Sequence, residues 1–143
     1  MNLIAMAAKL DVAVGAVAGI NAHYSVHPDT IGTTPCSVIL QPKGSTRTGS
    51  QQRTTVEFPI RIYVARIPSD NVAATLMNPF VNGVIAALAP INSAQTATNL
   101  WAVITKIDWD TDRYYQVGDE SYVGLEFTVH MEQIEAVSNY GAV

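Results

Sequence analysis

Apolar residues at the start of the chain recur every three or four positions, the spacing that predicts a helix. The pattern runs from about Asn2 to Val17 and ends near Gly19, and its core-facing residues are Leu3, Met6, Leu10, Val14 and Val17. The opposite side is also apolar, with Ile4, Ala5, Ala8, Val12 and Ala16. A helix that is apolar on most sides is usually buried on more than one side. We therefore expect a second cover over this helix, supplied either by its own domain or by a neighbouring subunit.

The next two patterns predict strands that are joined by a polar segment. The short run "CSVILQP" (36–42) is typical of a buried strand, and "TTVEFPIRIYVAR" (54–66) alternates apolar and polar residues as a half-buried strand does. The segment from Lys43 to Arg53 is polar, contains Gly and Ser, and has no hydrophobic anchor. It predicts a hairpin with a long, mobile arm. Pro59 lacks an N–H group, so it predicts a sheet edge or a bulge.

A second helical pattern occupies "IPSDNVAATLMNPFVNGVIAALAP" (67–90). Ser69 or Asp70 can cap its start, and Asn78-Pro79 resembles a second cap with proline at the first helical position. We therefore expect a kinked helix or two short helices, ending at Ala89-Pro90. The predicted apolar face consists of Leu76, Phe80, Val84 and Leu88.

Two further strands are predicted at 99–110 and 120–137. The first strand is predicted to alternate strictly between two faces. One face consists of Trp101, Val103, Thr105, Ile107 and Trp109. The other face consists of Ala102, Ile104, Lys106, Asp108 and Asp110. The apolar face of the second strand is Val123, Leu125, Phe127, Val129 and Met131.

The order of these patterns, α-β-β-α-β-β, predicts an α+β fold. We expect a largely antiparallel sheet of about four main strands, packed against the N-terminal helix and the central helix, with a long β-hairpin arm at 43–53. The length of 143 residues suits one domain over 1–143. Residues 138–143 are predicted to be a loose tail.

Composition narrows the class of protein. Apolar residues make up 48% of the chain and charged residues 14%, against about 25% charged in typical domains, so we expect some surface to be covered in use. The net charge of −4 disfavours a general nucleic-acid binder. The apolar N-terminus lacks the positive start of a signal peptide and is interrupted by Lys9 and Asp11, so we expect neither a signal nor a membrane span. The single cysteine, Cys36, fits a reducing compartment.

The stretch "DWDTDRYYQVGDE" (108–120) carries aspartates at the spacing of a calcium-binding loop. Asp108, Asp110, Asp112 and Asp119 would take loop positions 1, 3, 5 and 12. Position 6 requires glycine for the sharp turn and is Arg113, position 12 should be Glu, and the flanks predict strands. We therefore favour an acidic hairpin tip, keeping these four aspartates as weak metal candidates.

No other constellation indicates an enzyme. His23, His27, Cys36 and His130 match no compact zinc motif, and no nucleophile elbow, Walker loop or dinucleotide fingerprint occurs. Glu57 and Glu126 lie on predicted strands without a pattern that pairs them as acid and base. We predict a protein without catalytic residues or cofactors.

Charges are segregated between the two predicted hairpins. Five of the eight basic residues lie within 24 positions, namely Lys43, Arg47, Arg53, Arg61 and Arg66. Five of the twelve acidic residues lie within 13 positions, namely Asp108, Asp110, Asp112, Asp119 and Glu120. These are either two solvated loop tips or two halves of a head-to-tail contact, in which the basic arm of one copy reaches the acidic hairpin of the next. Heterologous contacts of this kind can close into rings.

The order and the length of these elements resemble the tail terminator (tail completion, or neck) proteins of long-tailed bacteriophages. The resemblance covers nearly the whole chain. It rests on an N-terminal helix, "PCSVILQPKG", a polar arm, "RTTVEFPIRIYVAR", a central helix, "WAVITKIDWD" and the closing "YYQVGDESYVGLEFTVHME", of which "RYY" followed by "SYVGLEFTV" is the most telling piece. This chain departs from the family pattern in having Pro59 within a strand and a strongly apolar first helix.

The resemblance implies a non-enzymatic virion protein, assembled in the host cytoplasm. Six copies would form a ring on the last ring of the tail tube, stop its polymerisation and present a surface to the head-side connector, while DNA passes through the lumen. Residues Lys43 to Arg53 would be a docking arm that is disordered until it meets the tail. The acidic hairpin at Asp108 to Asp119 would face a neighbour or the lumen.

Two alternative functions remain open on the sequence. One is a different virion part, such as a head-side stopper or adaptor, or a tail tube subunit. The other is a small calcium-binding or ligand-binding module.

Overall fold

A computed structural model describes residues 3–67, 74–98 and 103–136. The elements, in chain order, are α1 (Leu3–Gly15), β1 (Ala22–Tyr24), β2 (Cys36–Ile39), β3 (Lys43–Arg47), β4 (Gln51–Ile67), α2 (Ala74–Thr98), β5 (Val103–Val117) and β6 (Glu120–Ala136). The fold is therefore α+β, as predicted. The predicted loose tail at 138–143 and the candidate caps Ser69 and Asp70 lie outside the described residues.

The strands form one mixed sheet in the order β1-β2-β4-β6-β5, and β3 pairs with β4 beyond the end of β2. Every pairing is antiparallel except the one between β1 and β2. The described residues thus contain six strands rather than about four main strands. The two that were not counted, β1 and β3, have three and five residues, too few to show an alternating pattern.

The long strands β4 and β6 form the centre of the sheet and pair from Gln51 opposite Ala136 to Ile67 opposite Ser121. The alternation predicted for both strands is confirmed. Their apolar positions on one face are fully buried, including Phe58, Ile60, Ile62, Leu125, Phe127 and Val129. This face, the helix side of the sheet, packs against α1 and α2.

Pro59 lies where two strands meet along one edge of β4. Residues 60–63 of β4 pair with β2, and residues 53–57 pair with β3, so Pro59 faces the gap between them. Its carbonyl accepts a hydrogen bond from the Leu40 N–H at 2.8 Å. Pro59 has no N–H group with which to return a hydrogen bond to Leu40, and the ladder between β2 and β4 ends at the pair before it, Ile39 opposite Ile60.

The two helices confirm most of the predicted core residues, but Leu3 of α1 is 41% exposed instead of buried, and not all of the predicted ends are confirmed. Met6, Leu10 and Val14 of α1 are buried, as are Phe80, Val84 and Leu88 of α2, whereas the side chain of Leu76 lies outside the described part. Instead of ending at Pro90, α2 continues to Thr98 with Pro79 and Pro90 inside it. Both prolines are exposed, so water can hydrate the carbonyls that lose their N–H partner.

The strict alternation predicted for β5 is wrong. The register against β6 shifts between Ile104 and Lys106, and again between Asp110 and Arg113. The first bulge brings Ile104 and Ile107 to the same face, where both pack on the core. A bulge inserts one extra residue and so exchanges the two faces of a strand, which a sequence period of two does not reveal.

The segment 43–53 is part of the sheet rather than a mobile arm. Residues 43–47 pair with 53–57, and the other side of 51–57 pairs with residues 130–136 of β6. Side chains of β3 and β4 also bond directly, because the Ser45 and Thr55 hydroxyls lie 3.1 Å apart, as do those of Thr46 and Thr54. Backbone pairing therefore orders this segment without a hydrophobic anchor.

The face of the sheet away from the helices, called the far side below, carries a second and smaller apolar cluster. Cys36, Val38, Tyr63 and Tyr122 are its buried members. The loop that follows β1 covers them, because Ile31 packs on the cluster and its carbonyl accepts a 3.2 Å hydrogen bond from the Tyr122 hydroxyl. Within the described ranges, neither helix is long and apolar enough to cross a membrane.

Gly124 allows β4 and β6 to approach each other closely between two bulges. It pairs with Tyr63, next to the shift on β4 between Tyr63 and Ala65, and with Arg113, next to the shift on β5. A side-chain carbon added at Gly124 would collide with the backbone carbonyl oxygen of Ile62. Backbone in a central strand cannot move aside without breaking the ladder.

We predict that Gly124→Ala destabilises the protein by about 2 kcal/mol or more, because the added methyl group overpacks a backbone contact. Urea denaturation followed by circular dichroism measures the change in free energy of unfolding. Gly32→Ala is the matched control, since nothing lies within 4 Å of an added carbon there. Equal stability of the two variants would contradict this account of Gly124.

Candidate interaction surfaces

A hydrogen-bonded network on the far side of the sheet centres on Tyr63, whose side chain is fully buried. Its hydroxyl lies 2.6 Å from His27 Nε2 and accepts a 3.1 Å hydrogen bond from Arg61 Nη1. The rings of Tyr115 and Tyr122 meet the Tyr63 ring edge-on, with centroids 5.6 and 5.5 Å away. The network ties the loop after β1 to the centre of the sheet.

The polarity of this network follows from the partners of His27. Its Nδ1 lies 2.6 Å from the Pro28 carbonyl oxygen, which can only accept, so Nδ1 carries the proton. In the neutral ring Nε2 is then the acceptor, and the Tyr63 hydroxyl donates to it. The Tyr63 hydroxyl thus accepts a hydrogen bond from Arg61 and donates one to His27.

Arg61 connects the network to β6. Its guanidinium donates to Glu126 Oε1 from Nη2 at 3.1 Å and from Nε at 3.3 Å, and it lies 4.0 Å from the centroid of the Tyr115 ring. Burial alone would lower the pKa of Arg61, but hydrogen bonds to Tyr63 and Glu126 outweigh it and raise that pKa. Burial raises the pKa of Tyr63 in spite of the opposing Arg61 hydrogen bond. Arg61 therefore joins Tyr63 and Glu126 in one hydrogen-bonded group between β4 and β6.

Burial also makes Cys36 a poor nucleophile. The thiol belongs to the apolar cluster on the far side, and burial raises its pKa to about 11. Reactive cysteines have lowered pKa values and partial exposure, so Cys36 has the properties of a packing residue.

A row of charges crosses four strands on the far side, beyond the network of Tyr63. Lys43 is opposite Glu57, Glu57 is opposite His130, and His130 is opposite Lys106. His130 Nε2 lies 2.8 Å from Asp108 Oδ2, and its Nδ1 lies 3.3 Å from Glu57 Oε1. Only the doubly protonated ring can donate to both carboxylates.

The structure does not gather the candidate metal ligands. Asp108 and Asp110 lie within β5, whereas Asp119 lies in the turn that follows it, roughly 30 Å further along a strand that rises about 3.3 Å per residue. The predicted acidic tip is therefore corrected to a strand face and a separate turn, where Gly118 supplies a positive φ of 62°. The side chain of Asp112 lies outside the described part. Among described residues no group of three or more His, Cys, Asp or Glu could hold an ion.

The histidines considered for zinc are likewise apart. His23 pairs with Asp11 on α1 at 3.0 Å, His27 bonds Tyr63, and His130 bonds Asp108. Glu57 and Glu126 each have a basic partner, Lys43 and Arg61.

Four of the five clustered basic residues make ion pairs inside the chain. The pairs are Lys43–Glu57 at 3.5 Å, Arg53–Glu132 at 3.3 Å, Arg61–Glu126 at 3.1 Å and Arg66–Glu120 at 3.6 Å. Arg47 is exposed at the end of β3, opposite Arg53. The basic segment thus neutralises acidic residues of β4 and β6 of its own chain. Exposed pairs contribute only about 0–1 kcal/mol each, so they can exchange partners at little cost.

The outer side of α1 is an exposed apolar stripe. Ile4 is 85% exposed and Val12 is 67% exposed, and Ala8 and Ala16, which complete the four-residue spacing, are exposed as well. An apolar groove of about 550 Å³ adjoins the start of this stripe. The bare helix side noted in the sequence therefore lacks a cover within the described part of this chain.

Sequence reasoning missed the network around Tyr63. Its members come from four distant parts of the chain, and His27 was assessed only as a zinc ligand. The one available signal was Tyr63 at a polar position of a strongly alternating strand, where a buried ring requires a hydrogen-bond partner. No protein-family model matches the chain, and the comparison with curated proteins finds no match.

We predict that Tyr63→Phe lowers the free energy of unfolding by about 1–2 kcal/mol, since His27 and Arg61 both lose a hydroxyl partner. Thermal and urea unfolding measure the difference. Tyr114→Phe is the control, because Tyr114 is 73% exposed. A Tyr63→Phe variant as stable as this control would show that the network adds nothing to stability.

We predict that His130→Val raises the pKa of Asp108, measured by NMR titration of the carboxyl group. The hydrogen bond to His130 is the main reason that this pKa lies below its ordinary value, and Lys106 contributes less. Lys106→Gln should therefore shift it less. Because the folded pKa is the lowered one, stability from this contact is present above the unfolded pKa of about 3.9 and lost as pH falls through the folded value. An unchanged Asp108 midpoint in His130→Val would refute the assignment.

Proposed function

We propose that this chain is a structural, non-catalytic subunit of the neck of a long-tailed bacteriophage. Six copies form a ring that caps the tail tube, stops its polymerisation and joins the tail to the head connector. Its partners are its own copies, the tail tube protein and the head-side connector protein. DNA passes through the lumen without sequence-specific contacts, and no cofactor takes part.

The observation that carries the proposal is the exposed apolar stripe of α1. Ile4 and Val12 are mostly in contact with water in the isolated chain, and the groove beside Ile4 extends the apolar surface. Contiguous exposed apolar surface marks an interaction site. With only 14% charged residues, the composition agrees with a chain that has some of its surface covered in an assembly.

The order of the elements supports the same proposal. A sheet with helices on one side and a polar, charge-bearing far side supplies two chemically different surfaces. One suits packing against neighbours, and the other tolerates water and passing DNA. The resemblance to tail terminator proteins supplies the specific role, and the paired segment 43–53 provides contacts to the tail in an ordered rather than a disordered state.

A second candidate function is another head–tail connector or a tail tube subunit. The same stripe supports it, since every one of these proteins assembles with its own copies. The products distinguish them, because a tube subunit assembles into long polymers and a terminator stops at a ring.

We predict that Ile4→Gln combined with Val12→Gln abolishes ring formation and tube capping while the chain stays folded. Both side chains are exposed, so a polar replacement removes apolar contact area without opening the core. Light scattering and negative-stain electron microscopy measure assembly, alone and on tubes of the tail tube protein from the same phage. The control is Ala86→Gln, an exposed position on α2.

Closed rings and capped tubes for the parent and the Ala86→Gln control, but not for the double variant, are the expected outcome. If the parent protein alone assembled into long tubes, it would be a tube subunit and not a terminator. A parent protein that neither self-assembles nor binds tubes would refute a neck function.

A further inference from the structure

Within the described chain three strands, β1, β3 and β5, have one unpaired edge, and β3 and β5 differ in character. On one side β5, with 15 residues, pairs with β6 and with no other strand of the described chain. On the other side β3 pairs only with β4, and all five of its residues are exposed. Unpaired strand edges offer backbone donors and acceptors to another chain.

The helix side of the β5 edge exposes two aromatic residues. Trp109 is 50% exposed and Tyr114 is 73% exposed. They lie opposite Phe127 and Val123, which face the core, so both aromatic rings are on the helix side. The bulge between Asp110 and Arg113 is what allows an odd-numbered and an even-numbered residue to share this face.

The opposite edge has an apolar groove on the same side of the sheet. The groove of about 550 Å³ lies where β2 gives way to β3, and its walls include Leu3, Ile4, Val26, Pro42 and Phe58. The half-exposed indole ring of Trp109 at the β5 edge is thus matched by an apolar groove at the β3 edge.

The far side of β3 is basic, whereas the far side of β5 carries Asp108 and Asp110 together with Lys106. Lys43 and Arg47 of β3 belong to the same face as Asp108 and Asp110 of β5, since Lys43, Glu57, His130 and Lys106 form one row across the sheet. On the helix side, the aromatic residues of the β5 edge therefore match the apolar groove near β3. On the far side, the basic residues of β3 match the aspartates of β5.

We propose that copies of this chain associate head to tail, with residues 106–109 of β5 in one copy beside β3 of the next and Trp109 in the groove at Pro42. Beyond Trp109 the strand turns away at its second bulge, because β1 occupies the outer edge of β2. The inference rests on the proposed function, which it deepens by naming the surfaces that join the subunits. Extending the sheet past β3 makes the incoming β5 antiparallel to it, because β3 is antiparallel to β4 and β5 runs parallel to β4.

One register satisfies both kinds of contact. Antiparallel pairing that sets Trp109 opposite Pro42 also sets Asp108 opposite Lys43, Ile107 opposite Gly44 and Lys106 opposite Ser45. Lys43 then exchanges Glu57 of its own chain for a carboxylate of the next chain, which exposed pairs allow at little cost. The contact is heterologous, so each copy uses both edges once.

Site-directed disulfide formation tests this register. Ser45→Cys and Lys106→Cys are made as separate variants, purified, and mixed in equal amounts under mild oxidation. Directly opposed residues in an antiparallel pair have Cα atoms about 4.5–5.5 Å apart, within disulfide range. Cys36 does not interfere because it is buried.

A cross-linked mixed dimer, at least tenfold more abundant than either homodimer, is the expected result. A Trp109→Gln change in the Lys106→Cys variant should reduce its yield at least tenfold, and Ile85→Gln on α2 should not. Lys106→Cys homodimers alone would instead establish two-fold pairing of β5 and overturn the proposal. Absence of cross-linking, in solution and on tail tubes, would overturn it too.

Failure of this inference is distinguishable from failure of the proposed function. Rings that cap tubes without the cross-link would leave the neck function standing and place the subunit contact elsewhere. A cross-link in a protein that caps no tubes would keep the edge contact and remove the neck function.

Discussion

The pairing of β4 with β6 is the constraint on which the remainder of the fold depends. These two strands are each 17 residues long, and their alternation separates hydrocarbon from polar groups on opposite faces of one ladder. The helix side buries Phe58 and Phe127 beneath α1 and α2, and the far side holds Arg61 against Glu126. A slip of one residue would bury that ion pair in the core and expose the apolar face to water, so the same pairing fixes the core and the polar network together.

Alternation is also what made the centre of the fold predictable from sequence. A period of two over many residues, with apolar Val, Ile, Leu and Phe on one face, determines both the strand and its buried side. Prediction failed where geometry departs from a fixed period. The bulge at Thr105 exchanged the faces of β5, short strands β1 and β3 had no room for a pattern, and the two exposed prolines did not end α2. The contact between His27 and Tyr63 joins residues 36 positions apart, and only tertiary structure brings such residues together.

The segregation of charge seen in the sequence has a local explanation that the sequence alone did not provide. Lys43, Arg53, Arg61 and Arg66 each find a carboxylate on a neighbouring strand or turn of the same chain. The Arg61 pair is held by two hydrogen bonds and an aromatic ring, and it lies at the centre of the sheet. The outer pairs are exposed and weakly held. Exposure of the pairs increases from the middle of β4 and β6 toward the ends of these strands and is highest for Lys43, which lies on the edge strand β3.

Whether edge-to-edge contacts give a ring or a filament depends on the rotation from one copy to the next. A heterologous contact closes only if that rotation is a whole fraction of a circle. Neighbouring strands twist by about 20–25° on average, and an undistorted sheet extended by that twist alone forms a propeller-like ribbon. Bulges bend a strand and increase its local twist. Two of them lie on β5, at Thr105 and between Asp110 and Arg113, on either side of Trp109. The two bulges for which the prediction of strict alternation failed therefore lie in β5. The curvature of this strand would decide whether a head-to-tail contact of six copies closes into a ring.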